Sequence, residues 1–402
     1  MKILIIKNFY NPYIIGGAEL NVENIAKTLS ERENDVVVVC MGKNLKPTVE
    51  YQKENFKIYR FFPINFYFPY PPKKKRNKLL KLLWWILNLW NPYTFFVLRR
   101  IIKKEHPDLV QIHNFYGFSV SVFTAVMSLH KPILFFPHDF YLVCKNSSFM
   151  KNNGEICKIQ CFICKIFTFW NKLFLPKNLN TFFLSKFSAD ILKKYYKMTG
   201  PVVHNACPLT KEKILKNIEY KKQKKIDDKL VFLYMGRLDK HKGILTLLEA
   251  WSKVKNDKIN LYIAGVGEYE TVVQKYVEKD KRIKYFGFVS GKKKEELYLE
   301  SDVFVLPSEC FEVSPVTIQE AYGYGLPVLA TDFGSIPEHI EIGKTGWVFK
   351  IRNTSDLAEK ISMIYSQREN LGKIRENCFE SSLKNNFFSF IEKVCYIQEQ
   401  IV

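Results

Sequence analysis

The sequence predicts an α/β fold made of two doubly wound, parallel-sheet domains. The chain has 402 residues, 47% of them hydrophobic, which is enough apolar material for two separate cores. Two series of short apolar runs, each interleaved with helical patterns, flank the polar and charged stretch 206–229. Strands that alternate with helices in this way are typical of parallel sheets covered on both faces.

The first series starts at the N-terminus. KILIIKNF, residues 2–9, is the mainly apolar run expected of a strand buried on both faces. A turn-rich loop with Gly16 and Gly17 follows, and residues 18–32 carry apolar side chains at helical spacing. Further strands are predicted at 35–40, 106–114 and 132–139. These elements predict an N-terminal domain over 1–205.

The second series restarts the same pattern after the polar stretch, which we interpret as a surface linker. A strand at 230–236 leads through the loop 237–243 into a helix, and more strands are predicted at 259–265, 283–289, 303–308 and 327–332. We therefore expect a C-terminal domain over 206–380, with 381–402 as a helix that packs back on the N-terminal domain. Ligands of such sheets bind beyond the carboxyl ends of the strands, so a cleft between the domains is the expected site.

Composition favours an anionic partner and a reducing compartment. Lys and Arg outnumber Asp and Glu by 61 to 40, which gives a net charge of +21. Such a charge favours binding of nucleotides, anionic lipid or nucleic acid. A mutational bias toward lysine explains the surplus equally well. The first apolar run is too short for a secretory signal. Nine cysteines without such a signal predict a cytoplasmic protein.

Two glutamates stand in an apolar stretch of the second series. Glu312 and Glu320 are separated by seven mostly apolar or uncharged residues. A helix is predicted to begin near Pro315 and to end at 325–327, which places Glu312 in the preceding loop and Glu320 inside the helix. Carboxylates accept hydrogen bonds from vicinal hydroxyls, so the pair predicts a sugar or ribose site. The alternative is two solvated surface acids.

This stretch, with the residues that follow it through Ile340, resembles the signature of retaining family-4 glycosyltransferases of the GT-B fold, which has two Rossmann-like domains facing a central cleft. Other segments resemble that family in the same order along the chain; they are GGAE at 16–19, YMGRLDKHKGILTLLEA at 234–250, LYIAGVGE at 261–268, YFGFVS at 285–290, LYLESDVFVLPS at 297–308 and GKTGWVF at 343–349. One glutamate pair is a weak signal, whereas this ordered set is specific.

The resemblance implies a nucleotide-diphosphate sugar as donor. Glu320 is then expected to bind the ribose hydroxyls, Glu312 the transferred sugar, and Arg237 and Lys242 the diphosphate. Two cations stabilise the charge of the leaving diphosphate without a metal, so no catalytic cofactor is expected. The remaining donor-side residues implied are Gly16, Gly17, Gly236, Gly287, Phe288, Ser314, Pro315 and Val316.

Two histidines follow predicted strands of the N-terminal domain. His138 ends the run FFPH and resembles the family histidine near the transferred sugar, so it joins Glu312, Arg237 and Lys242 as a predicted catalytic residue. His113 and Asn114 end DLVQIHN and are assigned to the acceptor side. The family's retention of configuration is described as front-face attack, in which no enzyme nucleophile is needed, and we name none.

Four cysteines cluster in the loop 144–164. Cys144, Cys157, Cys161 and Cys164 have intervals of twelve, three and two residues, and four thiolates complete a tetrahedral zinc site. The loop also resembles a branch of these glycosyltransferases that carries cysteines after the histidine, although KNSSFM replaces that branch's usual turn. We expect a structural zinc; the alternative is four free thiols in a hydrophobic lid.

The segment 73–104 is basic at both ends and aromatic in the middle. Its uncharged part, 82–98, is interrupted by Asn88, Asn91 and Pro92, so two amphipathic helices are predicted rather than one spanning helix. Tryptophans beside lysines suit an anionic bilayer interface. We therefore expect peripheral docking on the inner face of the cell membrane; the alternative is that these side chains pack on the sheet.

The resemblance therefore implies a retaining, hexosyl-type glycosyltransferase (EC 2.4). It would move a sugar from a UDP- or GDP-linked donor to a glycan or lipid-linked acceptor for a cell-surface polysaccharide, such as lipopolysaccharide or capsule. The alternatives are an epimerase or phosphorylase of the same architecture, and a non-catalytic basic protein that binds nucleotides or nucleic acid. We see neither a pyridoxal phosphate lysine motif nor a nucleic-acid motif, and expect no nucleic-acid partner.

Overall fold

The computed structural model describes residues 1–70, 77–151, 154–157, 159–224 and 229–402. The chain forms two compact units. The first comprises Met1–Phe149, Cys157–His204 and Phe390–Val402, and the second comprises Met150–Ile156 and Asn205–Ser389. The main division thus falls between His204 and Asn205, and the chain returns to the first unit at its C-terminal end.

A seven-stranded sheet forms the centre of the first unit within the described residues. Its strands are β1 (Lys2–Ile6), β2 (Asp35–Met41), β3 (Thr48–Lys53), β4 (Phe56–Phe61), β5 (Leu109–Ile112), β6 (Ile133–Phe135) and β7 (Asn180–Thr181). They lie in the order β3-β4-β2-β1-β5-β6-β7, parallel except for the β3–β4 pair. The strand order reverses between β1 and β5, which is where ligands of open parallel sheets bind.

Helices cover this sheet: α1 (Gly17–Glu31), α2 (Lys78–Leu87), α3 (Pro92–Glu105), α4 (Ser121–Met127), α5 (Phe162–Leu173) and α6 (Lys186–Tyr196). The sequence 82–98 divides into α2 and α3 because Asn91 caps α3 and Pro92 occupies its first position. The part of the predicted membrane segment at 73–76 lies outside the described residues.

The second unit contains a parallel sheet whose strands are β8 (Leu230–Met235), β9 (Ile259–Ala264), β10 (Ile283–Tyr285), β11 (Val303–Leu306), β12 (Val328–Thr331) and β13 (Gly346–Phe349). They lie in the order β10-β9-β8-β11-β12-β13. The helices are α7 (Lys211–Gln223), α8 (Ile244–Lys253), α9 (Glu270–Lys279), α10 (Gly291–Glu300), α11 (Val316–Gly323), α12 (Thr354–Ser366) and α13 (Leu371–Lys384). Two parallel-sheet α/β units confirm the predicted fold class.

The interpretation of 206–229 as a surface linker is wrong for residues 211–223, which form α7. This helix is polar in sequence, yet Ile214, Asn217 and Lys221 are buried. Lys221 Nζ donates a 2.6 Å hydrogen bond to the Ser301 carbonyl, and Asn217 donates to the Gly323 carbonyl. The linker interpretation failed because long polar side chains pack their stems on a core while their ends find backbone partners.

The last helix, α14 (Phe387–Glu399), closes the chain. Its buried residues Phe390, Ile391 and Val394 belong to the first unit, where the Phe390 ring lies 5.7 Å from that of Phe182. None of the described helices combines the length and the hydropathy needed to cross a membrane.

Candidate active site

The loop between β8 and α8 is built around a buried aspartate. Asp239 is fully buried; its Oδ1 accepts a 3.1 Å hydrogen bond from the Lys242 amide, and its Oδ2 lies 3.4 Å from Arg237 Nη1. Gly243 has φ +68°, and a Cβ there would stand 1.7 Å from the Pro307 carbonyl oxygen, so only glycine fits. The loop therefore holds Gly236, Arg237 and Lys242 at the carboxyl edge of the sheet.

Glu312 reaches this loop from the segment after β11. Lys242 Nζ donates to Glu312 Oε1 at 2.5 Å, and Ser308 Oγ donates to the same oxygen at 2.8 Å. Burial raises the pKa of Glu312, but the charge and hydrogen bond of Lys242 and the Ser308 hydroxyl outweigh it, so that the pKa lies below its usual value. Burial opposes the charged form of Lys242, yet Glu312 raises its pKa. Both side chains are therefore ionised at neutral pH.

Glu320 lies in α11 and makes a second pair with a lysine. Its Oε1 lies 2.5 Å from Lys294 Nζ of α10, and its Oε2 accepts a 3.2 Å hydrogen bond from the Tyr298 hydroxyl. The Tyr298 ring stacks on that of Tyr324 at 4.7 Å. Each carboxylate oxygen has a second lone pair, so Glu320 keeps acceptor capacity beyond these two contacts.

Other predicted donor-side residues occupy the same edge. Ser314 is buried, accepts a 3.2 Å hydrogen bond from the Asn205 amide through Oγ, and precedes Pro315 and the first residue of α11, Val316. Gly287 and Phe288 follow β10; Gly287 has φ +64° and Phe288 is exposed. Because all six described strands of this sheet are parallel, their following loops meet at one edge.

In the first unit, the ends of β5 and β6 bring two histidines together. His113 Nδ1 lies 2.8 Å from His138 Nε2, and His113 Nε2 lies 3.1 Å from Gln111 Oε1. Burial is the main cause that lowers the pKa of both rings well below the usual value. His113 is buried, whereas His138 is partly exposed. Asn114 is buried beside His113, and its Oδ1 has no hydrogen-bond partner within the described residues.

A buried lysine supports the glycine loop of this unit. Lys7 follows β1, has no exposed surface, and its Nζ lies 3.0 Å from Glu19 Oε1. Glu19 Oε2 in turn accepts a 2.8 Å hydrogen bond from the Gly16 amide. Gly16 and Gly17 are exposed at the first turn of α1. The pair therefore holds the loop that presents the two glycines.

Asp139, which directly follows His138 in the chain, is a further ionisable group of this unit. Burial raises its pKa to about 6, although a hydrogen bond from the Tyr141 amide and the charge of Lys7 act in the opposite direction. The Tyr141 amide donates to Asp139 Oδ1 at 2.8 Å. The site in the first unit therefore contains neutral imidazoles and a carboxyl group that titrates near neutrality.

The cysteine loop is partly assembled. Cys144 is hydrogen-bonded with Cys164, and that contact lowers the pKa of Cys144 to about 6. Cys164 also contacts Cys161, and the main cause that lowers the pKa of Cys161 is a backbone hydrogen bond from Cys164. Over the ranges that the structure describes, no group of three or more His, Cys, Asp or Glu is arranged to hold a metal ion. The zinc site, which also includes Cys157, stays a prediction.

Helices α2 and α5 expose a large apolar surface. The Trp85 and Phe167 rings lie 5.5 Å apart, and Trp170 Nε1, in α5, donates to the carbonyl of Leu89 just beyond α2. Trp84 is buried, so one face of α2 does pack inward. The exposed large side chains are Leu79, Leu80, Leu82 and Ile86 of α2 and Phe162, Ile163, Ile166, Phe169 and Leu173 of α5. We call these nine residues the apolar surface.

Sequence reasoning missed several residues that the structure places in these contacts, and four of them show which signals were available. Lys7 and Gln111 are polar residues at or in otherwise apolar strands, which is a usable signal. Lys294 lies in the run KKKEELY, where three lysines look alike, and Tyr298 looks like an ordinary core aromatic. Lys294 and Tyr298 are set apart from similar residues only by their contacts with Glu320.

Two family models match nearly the whole chain. Residues 15–210 match Glycosyltransferase Family 4, and residues 216–381 match Glycosyl transferases group 1. A protein of Klebsiella pneumoniae described as an uncharacterized 42.6 kDa protein in the cps region is 24% identical over 84% of this chain and 87% of its own length. The putative colanic acid biosynthesis glycosyltransferase WcaL of Salmonella typhimurium is 30% identical over 33% of this chain and 35% of its own.

Among solved structures, Anabaena Alr3699/HepE in complex with UDP superposes with a TM-score of 0.69 at 15% identity, over 100% of both chains. At that identity the likeness establishes the fold, and it extends over both units. With the GT-B architecture and matches to both domain families in chain order, the protein belongs to the glycosyltransferases that join a family 4 domain to a group 1 domain.

Proposed function

We propose that the protein is a retaining glycosyltransferase that moves a hexosyl unit from a UDP- or GDP-linked sugar to a glycan or lipid-linked acceptor of a cell-surface polysaccharide. The observation that carries the proposal is the pairing of Glu312 with Lys242 and of Glu320 with Lys294 along one sheet edge. Such an edge offers acceptors for hydroxyls and donors for phosphate within one site, which a nucleotide sugar requires.

The cations supply the chemistry at the leaving group. An ammonium has three N–H donors; Lys242 gives one to Glu312, and two remain for phosphate oxygens. Arg237, with nearly half of its side chain exposed, adds a planar donor for the same diphosphate. The negative charge that develops as the glycosidic bond breaks is stabilised there, and removing one such donor costs roughly 3–4 kcal/mol of barrier height.

The carboxylates orient the neutral parts of the donor. Glu320 accepts from the ribose hydroxyls with the lone pairs left by Lys294 and Tyr298, and Glu312 accepts from the transferred sugar. Ser314, Pro315 and Val316 place the first turn of α11, whose free amides favour phosphate. Gly287 and Phe288 form the loop that contacts the base.

The first unit supplies the groups for the transferred sugar and the acceptor. His138 is partly exposed and hydrogen-bonds a sugar hydroxyl, while His113 and Asn114 lie behind it on the acceptor side. Gly16 and Gly17 let backbone approach the ligand closely, because they carry no Cβ. Retention by front-face attack needs no protein nucleophile, and the proton of the acceptor hydroxyl passes to the departing phosphate.

The relatives support the class of pathway. The cps-region protein and the putative colanic acid glycosyltransferase both point to cell-surface polysaccharide. The solved Alr3699/HepE chain was crystallised with UDP, which favours a uridine donor among the two that we propose.

We further propose that the apolar surface on α2 and α5 docks on an anionic lipid bilayer. Neither helix contains an Asp or Glu, and Lys78, Lys81, Lys165 and Lys172 are exposed on them. Apolar side chains flanked by lysines match the acyl boundary and the anionic headgroups of a membrane interface. Docking would bring the enzyme to a lipid-linked acceptor on the cytoplasmic face.

Calorimetric titration of the purified protein with UDP, GDP and ADP tests the donor site. We expect one nucleotide to bind, with affinity lowered at least tenfold in Glu320→Ala and unchanged in Glu249→Ala, an exposed glutamate of α8. Absence of binding by all three nucleotides to the folded protein would refute the proposed donor site.

Turnover separates the alternatives. A retaining transferase releases nucleoside diphosphate and yields a product with the donor's anomeric configuration, which NMR of the anomeric proton measures directly. An epimerase leaves the sugar on the nucleotide, and a phosphorylase consumes inorganic phosphate. A basic nucleic-acid binder would bind polynucleotides with strong salt dependence and without sensitivity to Glu320.

A further inference from the structure

We propose that Gln111 and His113 are positioning residues that hold His138 in its Nε2–H tautomer, so that His138 Nδ1 accepts a hydrogen bond from a ligand hydroxyl. The three side chains form one chain of hydrogen bonds that starts inside β5 and ends at the partly exposed ring of His138. The assignment of the ligand as a sugar rests on the proposed function; the tautomer does not.

The direction of the chain follows from its buried end. Gln111 turns its amide oxygen toward His113 Nε2 at 3.1 Å, and an amide oxygen only accepts, so His113 Nε2 carries the proton. A neutral imidazole has one N–H, which leaves His113 Nδ1 as an acceptor. The 2.8 Å contact with His138 Nε2 is then a bond donated by His138. Its single proton is used there, and Nδ1 is unprotonated.

The environment keeps both rings neutral and in place. His113 is buried and stacks on Phe136, with ring centres 4.5 Å apart and planes 9° apart. Burial lowers the pKa of both histidines, and the charge of Lys7 lowers them further. With the ring of His113 held in this way, its Nδ1 has one direction in which to accept, and that direction contains His138.

The chain also gives a reason for a buried glutamine in a core strand. Every residue of β5 is buried, and Gln111 has no exposed surface. Its Nε2 has no hydrogen-bond partner within the described residues, so burial of this amide is costly. The amide oxygen of Gln111 is the atom that makes a hydrogen bond, and it accepts that bond from His113 Nε2.

The consequence is that His138 selects a ligand group that can donate a hydrogen bond. An unprotonated Nδ1 pairs with a hydroxyl and not with a phosphate or carbonyl oxygen, which have no proton to give. At this point of the ligand the site would therefore accept a sugar with a free hydroxyl and discriminate against a deoxy or O-methyl analogue.

Long-range ¹H–¹⁵N NMR of histidine-labelled protein tests the tautomer directly. Signals are assigned by their loss in His113→Asn and His138→Asn. We expect both rings of the wild type to be protonated at Nε2 alone, and Gln111→Leu to populate both tautomers of His138. Gln111→Glu keeps an oxygen acceptor and should retain the wild-type pattern. Gln398→Leu, a change at another buried glutamine of the first unit, should leave both rings unaffected.

The effect of the His138 tautomer on function is measured by turnover and nucleotide binding together. Gln111→Leu should lower turnover of the sugar nucleotide about tenfold, the effect of losing one well-placed hydrogen bond, while the affinity for the nucleoside diphosphate without its sugar stays unchanged. Gln111→Glu should restore most of the turnover, and Gln398→Leu should retain it.

The two ideas fail in different ways. Protonation of His113 and His138 at Nδ1, or an unchanged His138 spectrum in Gln111→Leu, would overturn the inference even if the enzyme is fully active. A wild type with the expected tautomers that turns over no nucleotide sugar would instead count against the proposed function.

Discussion

At the residue scale, the second unit keeps its two predicted acids in contact with lysines. Lys242 and Glu312 are 70 positions apart in the chain, and their ion pair is strengthened by Ser308. A donor phosphate would share the ammonium without displacing the carboxylate, because three N–H groups are available. The pair thus stabilises the fold and, under the proposed function, also serves donor binding.

This pair predicts a pH dependence of folding. The pKa of Glu312 is lowered from 4.5 in the folded protein, so its stabilising effect is present above about pH 4.5 and is lost as the pH falls through the lowered pKa. The pKa of Lys242 is raised from 10.5, so its effect is present below that pH and is lost as the pH rises through the raised pKa. Glu312→Gln should lower the free energy of unfolding by about 1–3 kcal/mol at pH 7.

Urea denaturation at pH 7, 5, 4 and 3 measures this effect, and the difference from wild type should shrink below pH 4.5. Glu296→Gln is the matched control, because Glu296 pairs with Lys293 on an exposed part of α10 and such pairs contribute little. An equal loss in both variants, or a difference that does not change with pH, would contradict the role assigned to the buried pair.

At the scale of elements, α5 was not separated from the cysteine loop by sequence reasoning. Its residues Cys164, Phe167, Thr168 and Asn171 face inward at helical spacing, and the opposite face is apolar as well. A helix that is apolar on both faces requires two apolar environments. Among the described residues of this unit, protein supplies only one of them, and the apolar surface is the face that stays exposed.

The lipid proposal predicts a specific loss of vesicle binding. Ile166→Asp combined with Phe169→Asp should abolish most sedimentation with vesicles that contain anionic phosphatidylglycerol, because two apolar anchors become charges. Binding of the wild type should weaken with added salt and on neutral phosphatidylcholine vesicles.

Leu215→Asp is the control, since Leu215 is also an exposed leucine but lies on α7 of the second unit. It should sediment like the wild type. If the double variant binds anionic vesicles as well as the wild type does, α5 is not part of a membrane-docking surface.

At the scale of the whole molecule, the chain crosses between its units more than once. Residues 150–156 belong to the second unit, and residues 390–402 return to the first. The C-terminal helix therefore contributes to the core that the first two hundred residues build. Its Phe390 packs on Phe182, next to β7.

The return of the chain predicts that Phe390 matters to the N-terminal half. Phe390→Ala should destabilise the first unit by about 3–4 kcal/mol, because a buried ring is replaced by a cavity. Tyr396→Ala, a change at an exposed ring of the same helix, should change stability by less than about 0.5 kcal/mol.

Hydrogen exchange resolved along the sequence measures both variants. In Phe390→Ala, exchange should accelerate in β5 and β6 and remain as in wild type in β8 and β11. Faster exchange confined to the second unit would contradict the assignment of the C-terminal helix to the first.

Sequence reasoning succeeded where the signal was local. The apolar run of β1, the restart of the pattern at β8, and the division of 82–98 at Asn91–Pro92 all depend on neighbours in the chain. The polar stretch 206–229 was interpreted as a linker because α7 has no local apolar stripe. Its buried lysine and asparagine side chains form hydrogen bonds with carbonyls that are distant in the chain. Lys7 and Gln111 were passed over: a polar residue at or in an apolar strand is a usable signal, but its role is identified only by its partner in the structure.

The sequence by itself determined that there are two parallel-sheet units, that Glu312 precedes a helix containing Glu320, and that histidines follow β5 and β6. Periodicity, proline positions and motif order carry that information within short windows. Only the tertiary structure decided that each glutamate pairs with a lysine, that Gln111, His113 and His138 form one hydrogen-bonded chain, and that α5 exposes an apolar face. These facts depend on distances between residues far apart in the chain, which local propensity and spacing do not specify.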